Sequence, residues 1–111
     1  MHELGIAQTI QELACEAAEG QRVVRVEVEV GVLRAVLPDA LRFCWDLVCS
    51  GTIAQGSLLV IKPCPATARC HACLAETELP AALARCPCGG QDLSFLSGDE
   101  LRIVAVEVVC A

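Results

Sequence analysis

The sequence has few aromatic residues, few histidines and no long hydrophobic run. Its 111 residues include one Trp, two Phe and no Tyr, so the core must be built mainly from aliphatic side chains. The longest stretch without a charged residue, from Leu47 to Ile61, is too short and too polar to cross a bilayer. His2 and His71 are the only histidines, which leaves few candidates for histidine-based acid–base catalysis.

The motifs of common enzyme classes are also absent. The chain has no glycine-rich phosphate-binding loop, no G-x-S-x-G nucleophile motif and no H-E-x-x-H zinc motif. The cysteine pairs described below predict a zinc site with four thiolate ligands, and a zinc ion with four protein ligands has no open coordination position for a substrate. We therefore expect a protein that is not an enzyme.

Positive charge is scarce. Fourteen acidic residues against eight basic ones give a formal net charge of −6, which disfavours nonspecific binding to nucleic acid. Glu3 stands where a signal peptide would have basic residues before an apolar run, so the nine cysteines fit a reducing compartment better than a secreted disulfide scaffold. We expect a cytoplasmic protein whose partners are neither nucleic acid nor membrane.

Cysteine is abundant, and four of the nine residues form two close pairs. The motif Cys70-His71-Ala72-Cys73 is followed by twelve residues and then by Cys86-Pro87-Cys88. Such pairs supply four thiolates to one tetrahedral structural Zn²⁺, and the predicted ligands are Cys70, Cys73, Cys86 and Cys88. The second pair is one residue shorter than the usual C-x-x-C spacing. This leaves Cys64 and His71 as alternative ligands.

Two amphipathic helices are predicted in the first half of the chain. The first extends from Leu4 to Ala18, and Gly20 is placed to terminate it. The second opens at Leu37-Pro38-Asp39, and Gly51 is placed to terminate it. The apolar residues recur at helical spacing. The expected buried faces are Ile6, Ile10, Leu13, Ala14 and Ala17 in the first helix, and Leu41, Cys44, Trp45 and Val48 in the second.

Three strands are predicted around these helices. Valines at positions 24, 26, 28, 30 and 32 alternate with charged residues, residues 58–61 form a short apolar run, and residues 101–109 are rich in valine. We expect an α+β fold, in which a three-stranded sheet is covered by two helices and a small zinc-ribbon-like lobe is inserted before the last strand. The last two strands could pair as neighbours. The predicted domains are 1–62 plus 97–111, and the lobe 63–96.

The opening Met1-His2-Glu3-Leu4-Gly5-Ile6-Ala7 resembles that of the HypA/HybF family of nickel metallochaperones. The likeness continues through residues 43–52, the two cysteine pairs and residues 100–103. The resemblance implies Ni²⁺ binding at the N-terminus, a HypB-type GTPase as partner, and delivery of nickel to the [NiFe]-hydrogenase large subunit. Family members in some organisms also serve urease, so the resemblance adds urease maturation proteins as possible partners. The zinc would be structural and the nickel transported.

The N-terminus offers nitrogen donors that suit planar Ni²⁺. They are the Met1 amine, the His2 imidazole and the backbone amides of His2 and Glu3. The chain departs from the family pattern in two places: Cys86-Pro87-Cys88 replaces the usual C-P-x-C, and Leu37 stands where several members carry an acidic residue. No metal role is therefore transferred to Asp39, and none is assigned to Cys110.

Two other classes of function remain open from the residues alone. In a zinc-ribbon module for protein–protein interaction without nickel transfer, His2 would be an incidental exposed residue. In a thiol redox protein, Cys70 and Cys73 would form the reactive dithiol, although Pro63 and Pro65 do not fit the strand-to-helix context of such a motif. The resemblance favours nickel delivery.

Overall fold

The computed structural model describes residues 2–80 and 85–110, which belong to two compact units. The first unit comprises Met1–Val28, Val36–Lys62 and Arg102–Ala111, and the second comprises Glu29–Ala35 and Pro63–Leu101. Compared with the predicted boundaries, the second unit also takes in residues 29–35 and 97–101. None of the helices in the described residues has the length and apolar character needed to span a membrane.

The described elements follow the predicted order, with additional strands in the lobe. They are α1 (His2–Ala18), β1 (Arg22–Gly31), a 3₁₀ helix (Val32–Arg34), α2 (Pro38–Cys49), β2 (Leu58–Cys64), β3 (Ala66–Cys70), β4 (Glu76–Leu79), β5 (Leu93–Ser97) and β6 (Leu101–Val109). The α+β fold class is confirmed.

The first sheet has the strand order β2-β1-β6. The expectation that β2 and β6 could pair as neighbours is therefore wrong, because β1 lies between them. The physical reason lies in β1, where Val26, Val28 and Val30 are all buried. A strand with so continuous an apolar face is most fully buried at the centre of a sheet, where another strand lies on each side of it.

The start of β1 differs from the predicted alternation. Val24 is 38% exposed, whereas Val23 is buried. The N–H of Val23 donates to the carbonyl of Ile53 at 2.9 Å, so the first residues of β1 lie against the loop that follows α2. Val32, which was predicted to continue the strand, belongs to the 3₁₀ helix and is half-buried.

Helix α1 begins two residues earlier than predicted, at His2, and its buried face is rotated. Its buried residues are Ile6, Ala7, Ile10, Ala14 and Ala18. Leu13 is 51% exposed and Ala17 is also exposed, so the prediction that both would be buried is wrong. The buried row follows a spacing of four residues, and its alanines let α2 approach closely.

Helix α2 buries the face that the sequence predicts. Leu41, Cys44 and Trp45 are buried, Val48 is half-buried, and Cys49 is buried as well. The Trp45 indole Nε1–H donates to Ser57 Oγ at 3.1 Å, which satisfies the polar atom of the largest core side chain. Pro38 opens the helix at a position where its missing N–H is not needed.

The second unit contains a separate antiparallel sheet, in the order β4-β3-β5. Its buried side chains in the stretch 63–96 are mostly small: Ala66, Ala68, Cys70, Leu79 and Cys86. Neither the sheet nor its strands were predicted, because segments such as Ala66–Cys70 are short and lack a β-branched alternation. Among the described residues of the stretch 63–96, the buried side chains are therefore few and mostly small, and two of them belong to cysteines.

Candidate metal centres

The four cysteines that were predicted as zinc ligands come together in the second unit. The Sγ atoms of Cys70, Cys73, Cys86 and Cys88 all lie within 4.8 Å of one another. The Cys70–Cys88 and Cys73–Cys86 sulfur pairs are each 3.6 Å apart. Four sulfurs at about 2.3 Å from one tetrahedral zinc ion are separated by about 3.8 Å, whereas a disulfide needs about 2.05 Å. The cluster fits Zn²⁺.

The first cysteine pair sits in a tight turn after β3. The Leu74 N–H donates to the Cys70 carbonyl at 2.9 Å, and the His71 N–H donates to the Asp92 carbonyl at 2.9 Å. Leu74 closes the turn with a φ of 65°. Because a turn follows Cys70 in place of a helix, the geometry of a thioredoxin-like dithiol is not formed.

The second pair is held by hydrogen bonds around the two glycines that follow it. The Gly89 N–H donates to the Cys86 carbonyl at 2.8 Å, and the Gly90 N–H donates to Cys88 Sγ at 3.3 Å. Gly89 has a φ of 89°, which favours glycine. The chain thus reverses direction within five residues and returns both sulfurs to the same point.

The surroundings of the Cys70 and Cys88 sulfurs shift their thiol pKa values in opposite directions. Backbone N–H groups of Cys73 and Ala72 point at the Cys70 sulfur and lower its pKa to about 7. For Cys88, the Gly90 N–H acts to lower the pKa, but the sulfurs of Cys86, Cys70 and Cys73 outweigh it and raise that pKa to about 12. Four thiolates this close to one another repel each other, and a bound dication would offset that repulsion.

The two alternative ligands lie outside the sulfur cluster. Within residues 2–80 and 85–110, Cys70, Cys73, Cys86 and Cys88 form the one grouped set of potential metal ligands, and it contains neither Cys64 nor His71. His71 is exposed, and its Nε2 lies 2.6 Å from Ser94 Oγ. The geometry therefore favours the four thiolates despite the short second pair.

His2 and Glu3 occupy the first turn of α1 in the other unit, while Met1 lies outside the described residues. The His2 side chain is 49% exposed, and its Nε2 lies 3.8 Å from Glu3 Oε2. Glu3 Oε2 accepts a hydrogen bond from the Leu37 N–H at 3.2 Å. This bond is the main reason why the pKa of Glu3 is lowered, and hydrogen bonding to its own N–H acts in the same direction.

The backbone N–H groups in the first turn of α1 have no partner in the helical backbone, and that of Glu3 is instead hydrogen-bonded to the carboxylate of its own side chain. The first four N–H groups of an α-helix have no acceptor within the helix, and α1 begins at His2. The amides of His2 and Glu3 can therefore bind a metal without the loss of helical hydrogen bonds. The exposed imidazole adds a further nitrogen donor beside them.

An apolar cleft of about 280 Å³ lies beside Glu3, and sequence reasoning missed it. It is lined by Glu3, Leu4, Ala40, Phe43, Cys44 and Leu47. Phe43 is 66% exposed and Leu47 is 56% exposed. The sequence signal for this cleft was the i, i+4 spacing of Phe43 and Leu47 on α2, on a side of the helix away from the face that buries Trp45. Exposed large apolar side chains around a cleft are typical of a binding surface.

The fold and the cysteine cluster define a small α+β metal-binding protein with a zinc-type lobe. The chain belongs to the HypA family, because the family model described as "Hydrogenase/urease nickel incorporation, metallochaperone, hypA" matches residues 1–108. It is similar to the "Hydrogenase maturation factor HypA" of Nostoc sp. (strain PCC 7120 / SAG 25.82 / UTEX 2576), with 42% identity over 108 residues that cover 97% of this chain and 96% of that protein. The factor of the same name from Geotalea daltonii (strain DSM 22248 / JCM 15807 / FRC-32) is 39% identical over 110 residues, covering 98% and 100%.

A solved structure supports the fold. The solution structure of the Ni metallochaperone HypA from Helicobacter pylori superposes with a TM-score of 0.67 over 100% of both chains, at 18% sequence identity. The resemblance to the family is thus confirmed, and with it a place among the nickel-incorporation metallochaperones and hydrogenase maturation factors. Nickel is the metal that the family handles, and the cysteine cluster fits structural zinc.

Proposed function

We propose that this chain binds Ni²⁺ at its N-terminus and delivers it to the large subunit of a [NiFe]-hydrogenase during maturation. It would act in the cytoplasm, without catalysis of its own. The proposal extends to urease maturation proteins in organisms that have them. The observation that carries it is the exposed His2 in the first turn of α1, in a chain whose family incorporates nickel.

The proposed nickel ligands are the Met1 amine, the His2 imidazole and the backbone amides of His2 and Glu3. Adjacent donors close small chelate rings without help from distant residues, and four nitrogens suit planar Ni²⁺. The imidazole must be neutral and each coordinating amide must lose its proton, so acidification promotes release. An exposed terminus also allows the metal to be passed on, as a buried cage would not.

The experiment is a nickel titration of untagged protein with a free N-terminus. We expect one Ni²⁺ per chain, with the visible absorption of a planar nitrogen site. Both His2→Ala and a peptide extension of several glycine and serine residues before Met1, which carries the free amine away from His2, should abolish this binding, and the matched control His71→Ala should retain it. If tight, stoichiometric binding survived both N-terminal changes, nickel would have to bind elsewhere. A chain that bound zinc but no nickel at all would support the zinc-ribbon interaction module.

We assign the structural zinc to Cys70, Cys73, Cys86 and Cys88. The support is the 3.6 Å spacing within the two closest sulfur pairs and the convergence of all four sulfurs. Cys88→Ser should lower the zinc content of purified protein, whereas Cys64→Ser should leave one zinc per chain. The reverse result would make Cys64 the fourth ligand.

We further propose that a HypB-type GTPase docks on the cleft beside Glu3. This surface continues directly from the nickel terminus, because Glu3 both lines the cleft and follows His2 in the chain. A partner seated there would meet the metal as it binds the apolar rim formed by Phe43 and Leu47. The alternative docking surface consists of Gln8, Gln11 and Glu12, which lie off the buried face of α1. Of these, Gln11 is half-buried and donates to Cys15 Sγ.

Substitution of the rim separates these two surfaces. Phe43→Ala and Leu47→Ala should each weaken binding to the GTPase about tenfold, in the range of an interface side chain that contributes more than about 1 kcal/mol. Leu58→Ala, at a side chain that is 58% exposed on β2, is the control and should bind normally. If Glu12→Lys weakened binding while both rim variants bound normally, the interface would lie on α1.

A further inference from the structure

The two cysteine pairs of the lobe reach the same geometry with different numbers of residues. Two residues separate Cys70 from Cys73, but only one separates Cys86 from Cys88. Nevertheless, each pair places both sulfurs in the common cluster. The contacts that position the sulfurs of the shorter pair are therefore of particular interest.

The backbone N–H groups that reach the sulfurs come from different places in the two pairs. In the first pair, the N–H groups of Cys73 and Ala72 face the Cys70 sulfur from within the pair itself. In the second pair, Pro87 has no N–H to give. The N–H that reaches Cys88 Sγ belongs to Gly90, two residues further on.

Gly90 also lies against a sulfur of each pair. A Cβ at this position would lie 2.9 Å from Cys70 Sγ and 3.2 Å from Cys88 Sγ, and it would also be 3.2 Å from the Ala72 Cβ. A carbon atom at 2.9 Å from sulfur is far inside van der Waals contact. The position is therefore closed to any side chain while both sulfurs keep their places.

We propose that Gly90 completes the zinc site of the short pair, by donating its N–H to Cys88 and by leaving room for the sulfurs of Cys70 and Cys88. Cys86-Pro87-Cys88-Gly89-Gly90 then acts as one five-residue metal-binding loop. Gly90 is a positioning residue and not a ligand. The proposal rests on the assignment of zinc to the four cysteines.

The effect of a side chain at Gly90 should depend on the metal. Without zinc, the Cys70 thiol can rotate away from an added methyl group. With zinc bound, the metal fixes both sulfurs, so the overlap can be relieved only by distortion of the site. A substitution at Gly90 should therefore act on metal affinity and on coordination geometry, more than on the chain without metal.

Gly89 provides the matched control within the same loop. It has a φ of 89°, and a Cβ built on it meets no atom within 4 Å. Gly89 is thus required for its backbone conformation and not for space. Asn tolerates this left-handed region better than other residues with a side chain, so Gly89→Asn changes the loop sequence while it leaves the surroundings of the sulfurs unaltered.

The test measures Zn²⁺ affinity by competition with a chromophoric chelator, and site geometry by the absorption of Co²⁺ bound in place of zinc. Gly90→Ala should lose about ten- to hundredfold in zinc affinity, as for other residues that orient metal ligands, with an altered Co²⁺ spectrum. Gly89→Asn should stay close to the unchanged protein. Equal affinity and an identical Co²⁺ spectrum in Gly90→Ala would overturn the proposal.

Two further readouts keep the test decisive. If Gly90→Ala bound no metal, the same substitution would be placed in a chain with one glycine inserted between Pro87 and Cys88. Recovery of binding in this longer loop would support the proposal, and an equal loss would overturn it. A Co²⁺ spectrum without four thiolates in the unsubstituted protein would instead refute the zinc assignment itself.

Discussion

The carboxylate of Glu3 accepts the backbone N–H of Leu37 at 3.2 Å and so ties the first turn of α1 to the start of α2. Leu37 is the N-cap residue of α2 and has no side-chain cap of its own. The residue after His2 is thus fixed by a second element of the same unit. This contact gives Glu3 a positioning role, which the sequence alone could not separate from a metal role.

Two substitutions at Glu3 distinguish anchoring from charge. Glu3→Gln removes the negative charge but keeps an oxygen that can accept the Leu37 N–H, whereas Glu3→Ala removes both. We expect nickel affinity and melting temperature to fall in the order Glu, Gln, Ala. Nickel titration and thermal unfolding, followed by Trp45 fluorescence, measure the two quantities. Equal nickel affinity in both variants, below that of the original, would show that charge alone matters.

The metal residues were predictable because their chemistry is local. Cysteine spacing predicted the four sulfurs that cluster in the structure, and the Met-His-Glu start predicted a nickel site at the N-terminus through a resemblance, which stays a prediction. The β3–β5 sheet was not predictable, since its strands are short and bury small residues such as Ala66 and Ala68, which carry no clear strand pattern. The rotated face of α1 depends on which row of side chains α2 covers. Periodicity alone does not determine that choice.

Removal of zinc should unfold the lobe and spare the first unit. The lobe buries mainly alanine and cysteine, so metal binding on the order of 10 kcal/mol must stand in for a core. With a strong chelator under reducing conditions, we expect amide protons of β3, β4 and β5 to exchange rapidly. Trp45 emission should stay unchanged, because this single tryptophan is buried in the first unit. Protection of the β3 amides after complete zinc removal would refute this view.

Glu27 should make the stability of the first sheet depend on pH. Its carboxylate lies 3.2 Å from Lys62 Nζ and 3.0 Å from Arg25 Nη2. The hydrogen bond from Lys62 is the largest cause that lowers the pKa of Glu27 below its ordinary value of 4.5, and Arg25 adds to it. A carboxylate with a depressed pKa stabilises the fold above the unfolded pKa, and this contribution is lost as the pH falls through the folded value.

We therefore expect Glu27→Gln to lower the urea midpoint at pH 7. The gap in urea midpoint between the variant and the original should close as the pH falls below the ordinary pKa of the carboxyl group and through its lowered value in the folded protein. Glu12→Gln, at an exposed residue of α1, serves as the control with the same change of charge. A difference in urea midpoint that stayed constant between pH 7 and pH 3 would mean that the charge of the Glu27 carboxylate contributes nothing to stability.

Gly31 and Gly98 form a backbone junction in the second unit that leaves no room for a methyl group. A Cβ on Gly31 would overlap the Gly98 carbonyl group and lie 2.7 Å from the Asp99 nitrogen. Gly31 has an ordinary extended conformation, with φ −68° and ψ 142°, so space alone requires glycine here. The junction is held by hydrogen bonds from Gly31 N–H to the Glu100 carbonyl and from Leu33 N–H to the Gly98 carbonyl, both at 2.8 Å.

Gly31→Ala should destabilise the protein by about 1–3 kcal/mol or more, because the overlapping atoms belong to the backbone and cannot rotate away. Gly5→Ala is the matched control. Gly5 lies within α1 and a Cβ there meets no atom within 4 Å, so the same added methyl group should stabilise by about 0.5–1 kcal/mol. Thermal unfolding of zinc-loaded protein, followed by circular dichroism, measures both changes. The two substitutions should change the free energy of unfolding in opposite directions. A Gly31→Ala protein as stable as Gly5→Ala would mean that the junction can open without cost.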